Sequence, residues 1–160
     1  MRIGIGYDIH RLGKGRKLRL AGVAIPFSKG LVGHSDADVV LHAIVDAVLG
    51  AVAEGDIGSH FSDRDARTRG ANSMEFVQRT REILRKKNFK IENIDCVIVA
   101  EEPRLGPYRE KMRKSIAGGF GIKLGQVSVK AKTNEGLGPV GQKRAIVCFA
   151  AAGVRRSGKK

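Results

Sequence analysis

Tryptophan is absent from this 160-residue sequence, and aromatic residues make up only 5% of it. Since 42% of the residues are apolar, the chain can still form a globular core, which must consist mainly of Ile, Val, Leu and Ala. Long apolar runs are also missing, and the opening MRIGIGYD lacks the basic-then-apolar pattern of a signal peptide. These absences predict a soluble cytoplasmic protein that has no membrane partner.

Cysteine is scarce as well. Cys96 and Cys148 both lie in apolar runs, IDCVIVA and AIVCFAA, and no CxxC pair is present. We therefore predict two buried free thiols and no cysteine-based metal site.

Acidic residues are few: the sequence has 16 Asp and Glu against 30 Lys and Arg. The net charge is therefore +14 and the pI is near 10.3. Such a surface attracts polyanions or phosphorylated substrates. No nucleic-acid-binding motif accompanies the charge, and few aromatic residues are available for base stacking. We expect a solvated basic surface and no nucleic-acid partner. The alternative, a basic nucleic-acid-binding protein, predicts salt-sensitive RNA binding that survives loss of His42.

Hydrophobic periodicity predicts one domain over residues 1–160, an α+β or α/β sandwich with the element order β-β-α-α-β-α-β-β and a basic tail at about 154–160, and we expect the α+β class. Helices would cover one face of the sheet, and the other face would need cover from an oligomer. Ser35 is expected to cap the first helix. The expected strands are IGIGYDIHRL, KLRLAGVAIP (a strand or tight hairpin), NIDCVIVAEEP, QVSVKAKTNEG and RAIVCFAAAGV, and the helices are SDADVVLHAIVDAVLGAVA, NSMEFVQRTREILRKK and PYREKMRKSIAGGFG, with GDIGSHFSDRD as a loop.

Two polar patterns in these elements are typical of a metal site. Asp8 and His10 are two residues apart at the end of the first strand, so they share one face. On the first helix, Asp38, His42 and Asp46 are spaced four apart and form one stripe. The stripe is either half-solvated or provides His42 as a ligand whose ring the two carboxylates orient. Asp8, His10 and His42 together would make a three-ligand zinc site with one open position, although spacing alone does not bring His42 to the strand.

Three further segments indicate phosphate or substrate binding. GHSDAD lies at a helix start, where free N–H groups bind anions, and adds His34 and Ser35; plain capping by Ser35 is compatible with this. KAKTNEGLG is either a basic strand end or a phosphate and Mg²⁺ site. Lys130, Lys132 and Thr133 would donate hydrogen bonds to phosphate there, and Glu135 would be an oxygen ligand of Mg²⁺. The acidic loop, whose carboxylates are either solvated or hold substrate hydroxyls, offers Asp56, Asp63 and Asp65.

These segments together resemble the 2-C-methyl-D-erythritol 2,4-cyclodiphosphate synthase family. The resemblance runs in one order from residue 1 to about 153 and rests on IGIGYDIHRL, GLVGHSDADVVLHAIVDAVLGA, GDIGSHFSD, RGANSMEF, AEEPRLGPY and VSVKAKTNEGLG. It implies a lyase of the non-mevalonate isoprenoid pathway. In 4-diphosphocytidyl-2-C-methyl-D-erythritol 2-phosphate, the 2-phosphate would attack the β-phosphorus and release CMP, forming the cyclic diphosphate. A metal-dependent phosphohydrolase with water as nucleophile is the rival hypothesis.

The resemblance also implies roles for individual residues. Asp8, His10 and His42 would hold Zn²⁺ or another divalent cation, and Glu135 would hold Mg²⁺ or Mn²⁺ bridging the diphosphate. His34 and Thr133 would act on the transition state. The remaining substrate contacts would be Asp8, His10, Ser35, Asp56, Ile57, Gly58, Phe61, Asp63, Asp65, Ala100, Pro103, Arg104, Leu105, Gly106, Lys132, Asn134 and Glu135.

The resemblance implies a homotrimer with sheets packed around its axis and active sites between neighbours. Pro139, Gln142 and Arg144 depart from the family pattern of an aromatic or apolar residue, an Arg and a Glu in the segment that lines the axial cavity. We expect different cavity ligands with the chemistry intact, because the metal and Thr133 positions match. The basic charge is expected to help draw in the anionic substrate.

Overall fold

A mixed sheet covered by helices forms the fold in the computed structural model, which describes residues 1–61 and 70–158. Short 3₁₀ turns at Gly106–Tyr108 and Leu124–Gln126 join some of the elements. The strands are β1 (Arg2–Lys14), β2 (Leu18–Leu20), β3 (Val23–Ile25), β4 (Lys29–Val32), β5 (Phe89–Val99), β6 (Val127–Lys132) and β7 (Ala145–Arg156). The helices are α1 (Val39–Ala51), α2 (Ile57–His60), α3 (Ser73–Lys86), α4 (Arg109–Phe120) and α5 (Gly138–Gly141).

Strand direction brings several predicted site segments to one edge of the sheet. The five-stranded sheet has the order β4-β1-β7-β5-β6, while β2 and β3 form a separate hairpin. Because β7 is antiparallel to both β1 and β5, and β6 is parallel to β5, strands β1, β5 and β6 run in the same direction. The register pairs Ile9 with Val147, Val147 with Val99 and Val99 with Lys132, so His10, Ala100 and Lys132 lie at about the same level across the sheet.

Two glycines of β1 allow α1 to approach the sheet closely. A Cβ at Gly6 would lie 2.0 Å from the carbonyl oxygen of Ala43, and a Cβ at Gly4 would lie 2.0 Å from that of Ala47. No side chain fits between the two backbones there, so the helix lies directly on the strand. The alternate residues point to the other face, where Ile5 is 81% exposed.

The helical layer holds the main core. Ten of the 13 residues of α1 are buried, α3 packs beside α1, and α4 packs beside α3 over the sheet. The Asn72 side chain caps α3 by accepting the Met74 N–H, and α4 ends at Gly121 with a left-handed backbone, as the sequence predicts. Cys96 and Cys148 are buried free thiols, which confirms that expectation. In the described part of the chain, no helix combines the length and apolarity that a membrane crossing needs.

The structure corrects several expected boundaries. Helix α1 begins at Val39 with Asp38 as its cap, so the expectation that Ser35 caps it is wrong. The acidic loop contains the one-turn helix α2, and β4 is an unexpected strand paired with β1. Strand β7 continues to Arg156, so three residues of the expected 154–160 tail belong to the strand.

Candidate metal centre

Asp8, His10 and His42 converge as the sequence predicts, although two of them lie on β1 and the third on α1. The Asp8 Oδ2 atom lies 3.0 Å from His10 Nε2 and 3.0 Å from His42 Nδ1. The two imidazole nitrogens are 3.2 Å apart. The three side chains are partly buried beside the middle of β1, and the close contact between α1 and the strand brings His42 within reach.

The hydrogen bonds around the two histidines fix which nitrogen of each ring faces the cluster. His10 Nδ1 lies 3.0 Å from the carbonyl oxygen of Val32, which only accepts, so this nitrogen carries a proton. Nε2 then donates to Asp8 when the ring is protonated and would offer its lone pair to a bound metal ion when the ring is neutral. Gly33 leaves space for that ring, because a Cβ there would lie 3.0 Å from His10 Cε1. His42 Nε2 points away from the cluster, toward the hydroxyls of Ser73 at 2.9 Å and Ser35 at 3.2 Å.

The electrostatics of the cluster favour positive charge beside Asp8. Burial alone would raise the pKa of the Asp8 carboxyl, but hydrogen bonds with His10 and His42 outweigh it and hold that pKa well below its usual range. Burial alone would lower the pKa of His10, whereas the bond to Asp8 raises it above its ordinary value. The site therefore keeps an ionised carboxylate and attracts positive charge to it.

The donor set fits a divalent metal ion. One carboxylate oxygen and two imidazole nitrogens are ligands that Zn²⁺ accepts at about 2.0–2.2 Å, and the edge of such a tetrahedron is roughly 3.3–3.5 Å. The three donor atoms are already 3.0–3.2 Å apart, so they can occupy three corners after a small expansion. The fourth corner would be open to an oxygen ligand from a substrate.

Asp38 and Asp46 do not orient His42, so the role predicted for these two carboxylates is wrong. The fully buried Asp38 carboxylate accepts four backbone N–H groups, two from α1 and those of Ala21 and Gly22. Asp46 Oδ1 accepts the N–H of Ile57 at 2.7 Å and so fastens α2 to α1. Both carboxylates hold backbone in place, and the four-residue spacing alone does not distinguish this use from contact with the histidine.

The predicted phosphate site at the start of α1 also needs correction. The N–H groups of Val40 and Leu41 in the first turn of α1 already donate to the Asp38 carboxylate, so these two are not available to an anion. His34 and Ser35 lie in the bend before the helix instead. His34 is exposed, while the buried Ser35 hydroxyl accepts the Ala37 N–H at 3.1 Å and faces His42.

The loop after α1 is ordered around α2. Asp56 caps α2 and accepts both the N–H and the hydroxyl of Ser59, and these bonds lower the pKa of the exposed Asp56 carboxyl. Gly58 is exposed, whereas Phe61 is buried and stacks on Phe76 with ring centroids 4.6 Å apart. Phe61 therefore packs in the core of this chain rather than standing free for a ligand. The other expected contacts, Asp63 and Asp65, lie outside the described residues.

The remaining predicted residues form a second cluster at the carboxyl ends of β5 and β6. The Ala100 N–H donates to the Lys132 carbonyl at 2.9 Å, and Glu101 accepts the Asn134 N–H at 2.7 Å. Thr133 donates its hydroxyl to Glu135 at 2.8 Å. Pro103 and Leu105 are at least partly buried in the adjoining loop, where Arg104 and Gly106 are exposed.

Within one chain the two clusters stay apart. Strands β7 and β5 separate β1 from β6, and neighbouring strands are about 4.8 Å apart. Among the described residues, the group of ligand atoms close enough to share a metal ion is Asp8, His10 and His42, and Glu135 does not join it.

Two neighbours of the metal cluster, Ser73 and Asp36, were not predicted from the sequence. Ser73 is the first residue of α3 and contacts His42. The Asp36 carboxylate accepts hydrogen bonds from both the hydroxyl and the N–H of Ser73. The segment RGANSMEF predicts the start of a helix, but nothing in its residue spacing indicates that this helix start lies against His42.

Comparison with known proteins identifies the relatives of this arrangement. The sequence profile of the YgbB family matches residues 1–155. The chain belongs to the YgbB family. A relative from Pelotomaculum thermopropionicum, named 2-C-methyl-D-erythritol 2,4-cyclodiphosphate synthase, is 51% identical over 159 residues, which covers 99% of this chain and 98% of the relative. The resemblance drawn from the sequence motifs is thereby confirmed.

Solved structures of similar proteins share the fold. The 2C-methyl-D-erythritol 2,4-cyclodiphosphate synthase from Plasmodium vivax is 39% identical, with a TM-score of 0.83 and 99% of each chain covered. IspF of Plasmodium falciparum, solved as a CDP complex, is 38% identical, with a TM-score of 0.86, covering 98% of this chain and 97% of that one. The α+β arrangement of the YgbB family is therefore the architecture of this chain.

Proposed function

We propose that this chain converts 4-diphosphocytidyl-2-C-methyl-D-erythritol 2-phosphate into 2-C-methyl-D-erythritol 2,4-cyclodiphosphate and CMP, in the non-mevalonate route to isoprenoid precursors. The observation that carries the proposal is the convergence of Asp8, His10 and His42 within a chain of the YgbB family. In this reaction the 2-phosphate oxygen bonds to the β-phosphorus while the bond from that phosphorus to the CMP oxygen breaks. The enzyme is thus a phosphorus–oxygen lyase.

The chain's main task is to hold two anionic groups together. A divalent cation held by Asp8, His10 and His42 would supply positive charge for a phosphate oxygen at its open corner. His34 is exposed and precedes Ser35, which faces His42, and its side chain would donate a hydrogen bond to the attacking phosphate. Asp56 and Gly58, at the exposed start of α2, are placed to bind the hydroxyls of the methylerythritol.

The second cluster has the chemistry that a nucleotide needs. Backbone groups of the Ala100–Gly106 loop would receive cytosine, and Lys132 and Thr133 would bind the nucleotide phosphates. Glu135 would hold a second cation, Mg²⁺ or Mn²⁺, against the diphosphate. The CDP complex of the Plasmodium falciparum relative supports assigning a cytidine nucleotide to this fold.

We propose further that the chain is a homotrimer whose active sites lie between subunits. Two observations support this. The metal cluster and the second cluster, which we assign to the nucleotide and call the nucleotide cluster, stay apart within one chain, and the sheet face opposite the helices is apolar. On that face Ile3 is 67% exposed and Ile5 is 81% exposed, and Tyr7 packs on Phe149 with both rings half exposed. Burying this face around an axis would place the metal cluster of one chain next to the nucleotide cluster of another.

The segment that departs from the family pattern makes its own contacts. Lys143 forms an ion pair with Glu102 at 2.6 Å, and Arg144 donates to Gln142 at 3.3 Å. In the proposed trimer, three copies of these cations near one axis would favour small anions over an apolar isoprenoid chain. A trimer structure that shows an isoprenoid diphosphate in an apolar axial cavity would contradict this.

A phosphorus NMR assay with the diphosphocytidyl substrate tests the proposed reaction. We expect a cyclic diphosphate and CMP, and we expect both to disappear with a chelator and in His42→Ala. An open-chain diphosphate would instead show hydrolysis. A folded, metal-loaded protein that forms neither product would refute the proposal.

The proposed trimer has a separate test. Ile5→Lys introduces a charge in the centre of the apolar face and should release monomers, which light scattering after gel filtration detects. Lys111→Ala, on the exposed surface of α4, is the matched control and should leave the oligomer unchanged. A wild-type chain that runs as a monomer at assay concentrations would refute the trimer.

A further inference from the structure

His42 requires a defined ring orientation if the proposed metal site is to form. Its Nδ1 atom faces Asp8 Oδ2 and His10 Nε2, so Nδ1 must offer its lone pair to a cation. The proton of the neutral ring is then on Nε2, and this N–H needs an acceptor on the side away from the cluster.

Ser73 is the better placed of the two hydroxyls that face His42 Nε2. Its Oγ atom lies 2.9 Å from Nε2, against 3.2 Å for Ser35. The Ser35 oxygen already accepts the N–H of Ala37 at 3.1 Å. The Ser73 residue is completely buried, so its hydroxyl has no access to bulk water and depends on protein partners.

Asp36 determines the direction of the hydrogen bonds. Its Oδ1 atom is in short contact with the Ser73 hydroxyl, and its Oδ2 atom accepts the Ser73 N–H at 3.2 Å. An ionised carboxylate only accepts, so the Ser73 hydroxyl proton points to Asp36. The lone pairs of the serine oxygen are then free to accept from His42 Nε2–H.

We infer that Ser73 is a positioning residue, which connects the Asp36 carboxylate to the metal ligand His42. A chain of hydrogen bonds runs from His42 Nε2–H to the Ser73 hydroxyl and from that hydroxyl to the Asp36 carboxylate. It fixes the rotamer and tautomer in which His42 Nδ1 faces the cation, and the carboxylate increases the basicity of the imidazole ring through the hydroxyl. The inference rests on the metal site of the proposed function. Neither the substrate nor the second cluster takes part in it.

Metal affinity measured without substrate tests this role. Cobalt(II) absorption and competition for Zn²⁺ against a chromophoric chelator would be recorded for the full-length chain. We expect Ser73→Ala to lower the affinity about 10–100-fold, the usual effect of removing the partner of a ligating histidine. Asp36→Asn keeps an acceptor but removes the charge, so we expect a smaller loss.

Asn72→Ala is the matched control for a merely structural effect. It removes the side-chain cap of the same helix, one residue away, without touching His42. We expect a lower melting temperature with unchanged cobalt affinity and spectrum. If Ser73→Ala binds cobalt as tightly as the wild type, with the same spectrum, the inference is wrong.

A second measurement on the wild type does not depend on variants that fold. Long-range ¹⁵N–¹H correlation of the zinc-loaded protein identifies the protonated nitrogen of His42, which we expect to be Nε2. A proton on Nδ1 would overturn the inference. A wild-type chain that binds zinc but makes no cyclic product would refute the proposed reaction and leave this test decisive for Ser73.

Discussion

Replacing Gly6 by alanine should both destabilise the fold and weaken metal binding. The added methyl would lie 2.0 Å from the Ala43 carbonyl oxygen, whereas an ordinary contact begins at 3.4 Å. Strand β1 and helix α1 would therefore have to separate by about 1.4 Å. Since the obstructing atoms belong to backbone, no side chain can move aside to relieve the contact.

The expected stability loss is at the upper end of the overpacking range, about 3 kcal/mol. The metal site should suffer as well, because Asp8 and His10 lie on the strand and His42 lies on the helix. A ligand set tolerates displacements of only about 0.5 Å, so we expect metal affinity to fall at least about tenfold.

Urea unfolding and cobalt titration would measure the two effects, with Gly50→Ala as the control in the same helix. At Gly50 the nearest atom to an added Cβ is the Ile5 oxygen at 4.0 Å, so alanine should be accepted there with a gain of about 0.5–1 kcal/mol. If Gly6→Ala keeps wild-type stability and wild-type affinity, the close contact does not position His42.

Two further predictions concern the acidic stripe of α1. Asp38→Ala leaves four buried N–H groups without their acceptor, including those of Ala21 and Gly22, and should cost about 3 kcal/mol or more in urea unfolding; a loss below about 1 kcal/mol would show that other acceptors replace it. Burial raises the pKa of Asp46 although the Ile57 N–H opposes this, so its contribution to stability is present at low pH and is lost as pH rises through the raised pKa. Asp46→Asn keeps a carbonyl acceptor but does not titrate, so its stability relative to the wild type should rise as the pH increases above about 4, the ordinary pKa of an aspartate. A difference that stays constant with pH would contradict the shift.

Period-two alternation predicted β1 and placed Asp8 and His10 on one face, and both are confirmed. The alternation does not indicate which face the helix covers. The helix lies on the glycine face, and Ile3 and Ile5 point away from it, because glycine permits contact between backbones that larger residues prevent. Hydrophobicity patterns detect buried side chains, but they do not detect a close approach that depends on having no side chain.

The roles of the carboxylates in and just before α1 could not be predicted for a related reason. Asp38 and Asp46 lie within reach of His42 by helical spacing and Asp36 lies just before the helix, and the structure gives the three carboxylates different sets of partners. Which partner each one takes depends on where the β2–β3 turn, α2 and α3 pack against α1. Those are contacts between distant parts of the chain, which local spacing does not specify.

The exposed sheet face and the basic composition make opposing contributions to the proposed assembly. Burying an apolar side chain such as Ile5 gains about 1.5–3 kcal/mol, and several such side chains cover this face. A net charge of +14 on each chain opposes association through repulsion that salt screens over about 10 Å at 0.1 M ionic strength. Added salt should therefore strengthen the trimer while it weakens any steering of an anionic substrate, so assembly and kcat/KM should respond to ionic strength in opposite directions. A trimer that dissociates as salt rises would mean that ion pairs, rather than the apolar face, hold the chains together.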